Sequence, residues 1–115
     1  MNKIVVFASG GGSNFITIYN NTLNNKIKNS EIVLLVSNNS SSNAVNFANE
    51  NGIKTFVINR TRYSTDDEYN RALKDKLLSI KPDLIVLAGY MKLIPLPIVS
   101  LFENLIINIH PGKLP

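Results

Sequence analysis

The sequence predicts an α/β fold in which a doubly wound, mostly parallel sheet carries helices on both faces. Short apolar runs alternate with longer, more polar segments of helical period, a pattern typical of parallel strands joined by crossover helices. The runs 4–7 and 84–87 are apolar at every position, as expected for strands that are covered on both faces. Residues 66–80 combine an acidic start with apolar side chains at helical spacing and stop before Pro82, which predicts a helix.

Strands and helices alternate along the whole chain in this interpretation. The strands are predicted at 3–8, 31–36, 55–58, 84–88 and 105–109, with the first and fourth in central positions. The helices are predicted at 14–22, 43–51, 66–80 and 97–102, the second of them ending at Gly52. Right-handed crossovers between these strands give a Rossmann-like sheet.

Length and composition restrict the classes of protein to consider. The 115 residues, 44% of them hydrophobic, predict a single domain over 1–115. The net charge of +4 comes from scattered Lys and Arg rather than a basic stripe, so we do not expect nucleic acid as a partner. The first apolar run is far too short to span a bilayer, so we do not expect a membrane partner either. The absence of Cys excludes disulfides, thiolate metal sites and cysteine nucleophiles. The first apolar run is too short for a signal sequence, which leads us to expect a cytoplasmic protein.

A glycine-rich segment, 9–14, follows the first predicted strand and precedes the first helix. Glycines let a backbone approach a phosphate there, and the free N–H groups of the helix start point at it. Phe15 stands where the dinucleotide fingerprint needs a further glycine, and the second strand ends in Ser37-Asn38-Asn39 without an acid, so NAD is disfavoured. A terminal monophosphate is the expected ligand; the alternative is a glycine turn that only lets strand and helix pack closely.

The last predicted strand ends in Asn108-Ile109-His110-Pro111. Residues two apart on a strand project to the same side, so Asn108 and His110 can act on one ligand. His110 is the only histidine, and Pro111 restricts it to extended backbone. An amide donor beside an imidazole suits acyl transfer, in which the amide stabilises an oxyanion and the imidazole moves protons. The alternative is a hydrogen-bonded structural histidine beside an Asn placed by chance.

The segment 87–94 follows the fourth predicted strand. Gly89 breaks the strand, and an apolar loop with one cation, Lys92, comes after it. Such a loop can hold a flat aromatic ligand while the Lys meets an anionic tail. The alternative is a loop that packs under the next helix.

These three segments together carry a resemblance to the folate-dependent formyltransferases, and among them to the glycinamide ribonucleotide formyltransferases. The resemblance covers nearly the whole chain. The matching segments are 9–14, 36–38, 82–83, 87–91, 107–111 and 114–115. It implies transfer of a formyl group from the co-substrate 10-formyltetrahydrofolate to the amine of 5'-phosphoribosylglycinamide, a step of purine biosynthesis, with no metal and no NAD.

The resemblance also implies a role for each segment. The backbone of Gly12, Ser13 and Asn14 would hold the substrate phosphate. The folate pocket would be lined by Met91, Lys92, Leu93, Ile94 and Asn108. Asn108 would bind the formyl oxygen, and His110 would be the acid–base group.

Some positions depart from the family pattern. Gly112-Lys113 replaces the usual pair after His-Pro, and Lys92 stands where Arg is more common. Asp66 replaces a basic residue at the third helix, although Arg60 or Arg62 is close enough in sequence to compensate. Relatives continue past Pro115 into a segment with an Asp that pairs with the histidine. We therefore expect 1–115 to be a truncated amino-terminal domain with little activity by itself.

Other functions stay open at this point. Formyltetrahydrofolate deformylase and methionyl-tRNA formyltransferase belong to the same superfamily. A non-catalytic module that binds a mononucleotide phosphate is an alternative of a different class. A homodimer is one assembly compatible with the sequence, which does not define the oligomeric state.

Overall fold

A computed structural model of the protein describes residues 2–9, 13–23, 29–88 and 94–109. The described strands are β1 (Asn2–Phe7), β2 (Ser30–Ser37), β3 (Thr55–Val57), β4 (Leu84–Ala88) and β5 (Ile106–Ile109). The described helices are α1 (Ser13–Leu23), α2 (Asn43–Glu50), α3 (Asp66–Ile80) and α4 (Leu96–Leu101), and a 3₁₀ helix spans Arg60–Arg62.

The five strands form one sheet in the order β3-β2-β1-β4-β5, and every pairing is parallel. The predicted fold class is therefore confirmed, and β1 and β4 each have a strand on both sides, as predicted. The chain moves outward from β1 to β3 and then returns to add β4 on the other side of β1. This reversal makes the gap between the carboxyl ends of β1 and β4 the topological switch point, where open α/β sheets bind ligands.

Helices cover both faces of the sheet and bury two separate apolar clusters. One cluster packs α1 and α2 on one face and includes Phe15, Val6 and Val86. The other packs α3 and α4 on the opposite face and includes Leu73, Leu77 and Phe7. Residues 4–7 of β1 are all buried because this strand is covered by both layers.

Local signals in the sequence define α3. The Thr65 hydroxyl accepts a hydrogen bond from the N–H of Glu68 at 3.1 Å, and three acidic residues occupy the first turn, where the helix dipole favours negative charge. The helix ends at Ile80 because Lys81 takes a left-handed conformation (φ 57°) directly before Pro82. The observed bounds are those predicted from the sequence.

Asp83 fixes β4 beside β1. Its carboxylate accepts a hydrogen bond from the backbone N–H of Lys3 at 2.8 Å, and its own N–H donates to the Lys3 carbonyl at 2.8 Å. This reciprocal pair sets the register in which Phe7 lies opposite Leu87. Within the part of the chain that the structure describes, no helix is long and apolar enough to cross a membrane.

Candidate functional site at the carboxyl edge of the sheet

All five strands run in one direction, so their carboxyl ends share one edge of the sheet. The three predicted segments follow β1, β4 and β5 in the sequence, and these strands are immediate neighbours in the sheet. Gly12, Met91, Lys92, Leu93 and His110 lie outside the described residues. Of the predicted site residues, the structure describes Ser13, Asn14, Ile94 and Asn108.

Ser13 and Asn14, the last two residues of the glycine-rich segment, are also the first two residues of α1. Ser13 is exposed and Asn14 is half-buried. The first N–H groups of a helix have no partner within the helix, so this start presents free donors and the positive end of the helix dipole to the carboxyl edge. The arrangement suits a phosphate or carboxylate.

Phe15 explains why this turn departs from the dinucleotide fingerprint. Its side chain is fully buried and meets the ring of Phe47 edge to face, with 5.8 Å between ring centroids. The position that would be a glycine in the fingerprint thus anchors α1 to α2 instead of admitting a close backbone approach.

Asn108 is the third residue of β5 and is exposed. It pairs in register with Leu87 of β4, which in turn pairs with Phe7 of β1. Residues paired in this way project to the same face, and Phe7 and Leu87 belong to the cluster under α3 and α4. The Asn108 side chain therefore projects on the α3/α4 face, close to the carboxyl end of its strand.

Ile94 is the described end of the segment predicted to hold folate. It is half-buried and packs against the cluster under α3 and α4. Pro95 follows it at the N-cap position of α4, without a side-chain capping hydrogen bond. Ile94 thus ties this segment to the core at the point where α4 begins.

A cleft of about 570 Å³ opens beside Ile94, between the starts of α3 and α4; we call it the α3–α4 cleft. Its volume falls within the usual range for small-molecule sites, about 300–1,000 Å³. Its walls are apolar at Ile58, Tyr69 and Pro95 to Pro97, and polar at Asn38, Asn59, Arg60, Asp66 and Asn70.

Arg60 supplies a cation at this cleft. Its guanidinium pairs with the Asp66 carboxylate at 2.5 Å and donates to the Tyr63 carbonyl at 2.8 Å. The pair is solvent-exposed, since the two side chains are 43% and 82% exposed, so it fixes the position of Arg60 more than it stabilises the fold. The Arg60 guanidinium therefore lies beside Asp66, which stands at the start of the third helix in place of the basic residue of the family pattern.

No pattern in the sequence indicates that most of the residues lining the α3–α4 cleft belong to a binding site. Tyr69 and Asn70 belong to a helix whose pattern predicts only packing, and α4 reaches them through a tertiary contact between distant segments. Asn59 shows a signal only in retrospect: it caps the 3₁₀ helix, its side-chain oxygen accepting from the N–H of Thr61 at 3.1 Å.

The all-parallel sheet and the helices on both of its faces define a Rossmann-like α/β fold, a class of fold that binds ligands at the carboxyl edge of the sheet. A family model described as formyl transferase matches residues 2–115. The chain therefore belongs to the formyl transferase family.

Relatives with known names agree with this membership. The chain is 39% identical over 114 residues to the chloroplastic phosphoribosylglycinamide formyltransferase of Arabidopsis thaliana, covering 98% of this chain and 39% of that protein. It is 33% identical over 113 residues to the phosphoribosylglycinamide formyltransferase of Escherichia coli, covering 98% of this chain and 53% of that protein.

Solved structures agree as well. Glycinamide ribonucleotide transformylase 1 from Geobacillus kaustophilus superposes with a TM-score of 0.86 at 32% identity, covering 100% of this chain and 61% of that one. The phosphoribosylglycinamide formyltransferase from Brucella melitensis superposes with a TM-score of 0.87 at 34% identity, covering 99% and 59%. The chain thus spans roughly two fifths to three fifths of the length of these relatives.

Proposed function

We propose that the protein carrying this chain transfers a formyl group from 10-formyltetrahydrofolate to the amine of 5'-phosphoribosylglycinamide, a step of de novo purine biosynthesis. The observation that carries the proposal is the grouping of β1, β4 and β5 as neighbours, because each precedes one segment with separate chemistry. Membership of the formyl transferase family and the names of the relatives support the same reaction.

The substrate phosphate binds at the start of α1 in this proposal. Gly12, Ser13 and Asn14 contribute backbone N–H groups, and the exposure of Ser13 leaves this helix end accessible. The phosphate anchors one end of the substrate at the switch point. Its amine then extends past β4 toward the end of β5.

The folate binds beside β4 and β5. Met91, Lys92, Leu93, Ile94 and Asn108 form its pocket, with Ile94 held against the core. The α3–α4 cleft starts at Pro95 and continues this apolar surface. Arg60 places a guanidinium at this cleft, and its ion pair neutralises the carboxylate that Asp66 brings in place of the family's basic residue.

Asn108 and His110 carry the chemistry. The amine of the substrate attacks the formyl carbon, a new C–N bond forms, and the bond from the formyl carbon to N10 of the folate breaks. The Asn108 carboxamide donates a hydrogen bond to the formyl oxygen as negative charge develops there. The His110 imidazole accepts the proton that the amine loses and returns it to the departing nitrogen. The reaction leaves a formylated substrate and tetrahydrofolate.

Calorimetric titration of the protein with phosphoribosylglycinamide, and separately with a non-reactive folate analogue, tests the proposal. A formyltransferase site binds both ligands. A mononucleotide-phosphate module binds the phosphorylated ligand alone, and that result would favour the non-catalytic alternative. A protein that binds neither ligand would refute the proposed function.

A further inference from the structure

A second cleft lies at the carboxyl edge, beyond the ends of β2 and β3. It has a volume of about 400 Å³ and is lined by Asn38, Asn39, Ser40, Val57, Asn59 and Arg62; we call it the β2–β3 cleft. All of these residues except Val57 are polar or charged, and none is a carboxylate. Asn38 and Asn59 also line the α3–α4 cleft, whereas Asn39, Ser40, Val57 and Arg62 line only this one and have no role in the formyl transfer proposed above.

Hydrogen bonds hold the walls of the β2–β3 cleft in place without ligand. The Asn59 amide donates to the Asn38 carbonyl at 3.3 Å and so joins the loop after β2 to the loop after β3. The buried Ser37 hydroxyl accepts from the N–H of Asn39 at 3.2 Å, and the Asn39 side chain accepts from the N–H of Ser41 at 2.9 Å. A site whose walls are fixed in advance loses less conformational entropy on binding.

Arg62 differs from Arg60, its neighbour in the same 3₁₀ helix. Arg60 is tied to Asp66 and to the Tyr63 carbonyl. Among residues 2–9, 13–23, 29–88 and 94–109, no carboxylate forms an ion pair with Arg62. The Arg62 backbone is nevertheless fixed, because its N–H donates to the Asn59 carbonyl at 3.0 Å. A guanidinium offers five N–H donors in a planar fork that matches the oxygens of a phosphate.

The place of this cleft in the fold favours the same ligand chemistry. In dinucleotide-binding doubly wound folds, the end of the second strand receives a ribose of the bound cofactor, and an Arg near it accommodates the 2'-phosphate of NADP. This chain lacks the dinucleotide fingerprint, but it has an Arg at the same place: β2 ends at Ser37, and Asn38 and Asn39 after it line the cleft together with Arg62. A carboxylate at this strand end would repel a phosphate, and none is present in this cleft.

We propose that the β2–β3 cleft is a second anion site, which binds a phosphoryl group through Arg62 and is separate from the substrate phosphate site at the start of α1. Free phosphate and the phosphate of a mononucleotide share this chemistry. The proposal does not depend on formyl transfer, because Arg62 in the 3₁₀ helix and Asn39 and Ser40 in the loop after β2 are assigned to neither the substrate nor the folate.

Titration followed by ¹⁵N NMR tests this second site. Inorganic phosphate is expected to shift the Asn59 side-chain amide and the Arg62 backbone signal to saturation, both without and with phosphoribosylglycinamide present. Arg62→Gln should weaken this binding by about tenfold or more, the loss expected for one charge-assisted contact. Arg71→Gln, at an exposed Arg of α3 outside the cleft, is the matched control and should bind as the wild type does.

Parallel titrations with AMP and adenosine identify the source of the phosphoryl group. Binding of AMP without binding of adenosine supports a mononucleotide ligand, and binding of inorganic phosphate alone supports free phosphate. Equal affinity for AMP and adenosine would overturn the proposal. So would an Arg62→Gln variant that binds phosphate like the wild type, or shifts confined to Ser13 and Asn14.

Discussion

Replacement of Asn108 by Ala separates catalysis from folding. In the part of the sheet that the structure describes, Asn108 is exposed on the outermost strand, and Ala keeps both backbone groups that pair with β4, so the free energy of unfolding should change by about 0.5 kcal/mol or less. Removing one donor to a developing oxyanion costs roughly 10²–10³ in kcat. We therefore expect Asn108→Ala to lower kcat by about 10²-fold or more.

The assay compares kcat for formyl transfer with the urea midpoint of each variant. Asn104→Ala is the matched control, since Asn104 is also exposed and lies in the turn just before β5. The control should keep both kcat and stability. If Asn108→Ala retains the kcat of the wild type, Asn108 does not stabilise the oxyanion; if it unfolds instead, its position in the sheet has been misjudged.

Three further substitutions test other parts of the account. His110→Ala should lower kcat by roughly two to four orders of magnitude, and an unchanged kcat in a steady-state assay would remove its acid–base role. Phe15→Ala should lower the free energy of unfolding by about 3–5 kcal/mol because the ring is fully buried. Asn20→Ala, at an exposed residue of the same helix, should leave it unchanged, and equal urea midpoints for these two variants would contradict the prediction. Thr65→Ala should lower the free energy of unfolding by about 1 kcal/mol because α3 loses its capping hydrogen bond. Ser64→Ala, at an exposed neighbouring residue, is the control, and a loss in Thr65→Ala no larger than in this control would refute the capping role.

Much of the fold could be predicted because the apolar runs and the helix-capping residues of the sequence match the burial and the element ends in the structure. Residues 4–7 are apolar without interruption, and they form the strand that both helical layers cover. The capping residue and acidic first turn of α3 define its start, and Pro82 limits its end. The sequence also predicts helix 97–102, whereas α4 spans Leu96–Leu101; Pro95 and Pro97 fit its first turn because they need no helical N–H donor there.

The clefts could not be predicted because they depend on contacts between distant segments. The sequence gives no sign that Asn59 bonds to Asn38, 21 residues earlier, or that Arg60 and Arg62 have different surroundings within one turn. The sequence names both arginines as residues that could compensate for Asp66; in the structure Arg60 pairs with Asp66, and Arg62 lines the β2–β3 cleft.

Formyl transfer itself is the most direct test of the central claim. The protein carrying this chain is incubated with phosphoribosylglycinamide and 10-formyltetrahydrofolate, and mass spectrometry follows the glycinamide product. We predict a product that has gained one formyl group on its amine, formed in step with tetrahydrofolate. Release of formate without a formylated product would indicate a deformylase, and no consumption of either substrate would contradict the proposed function.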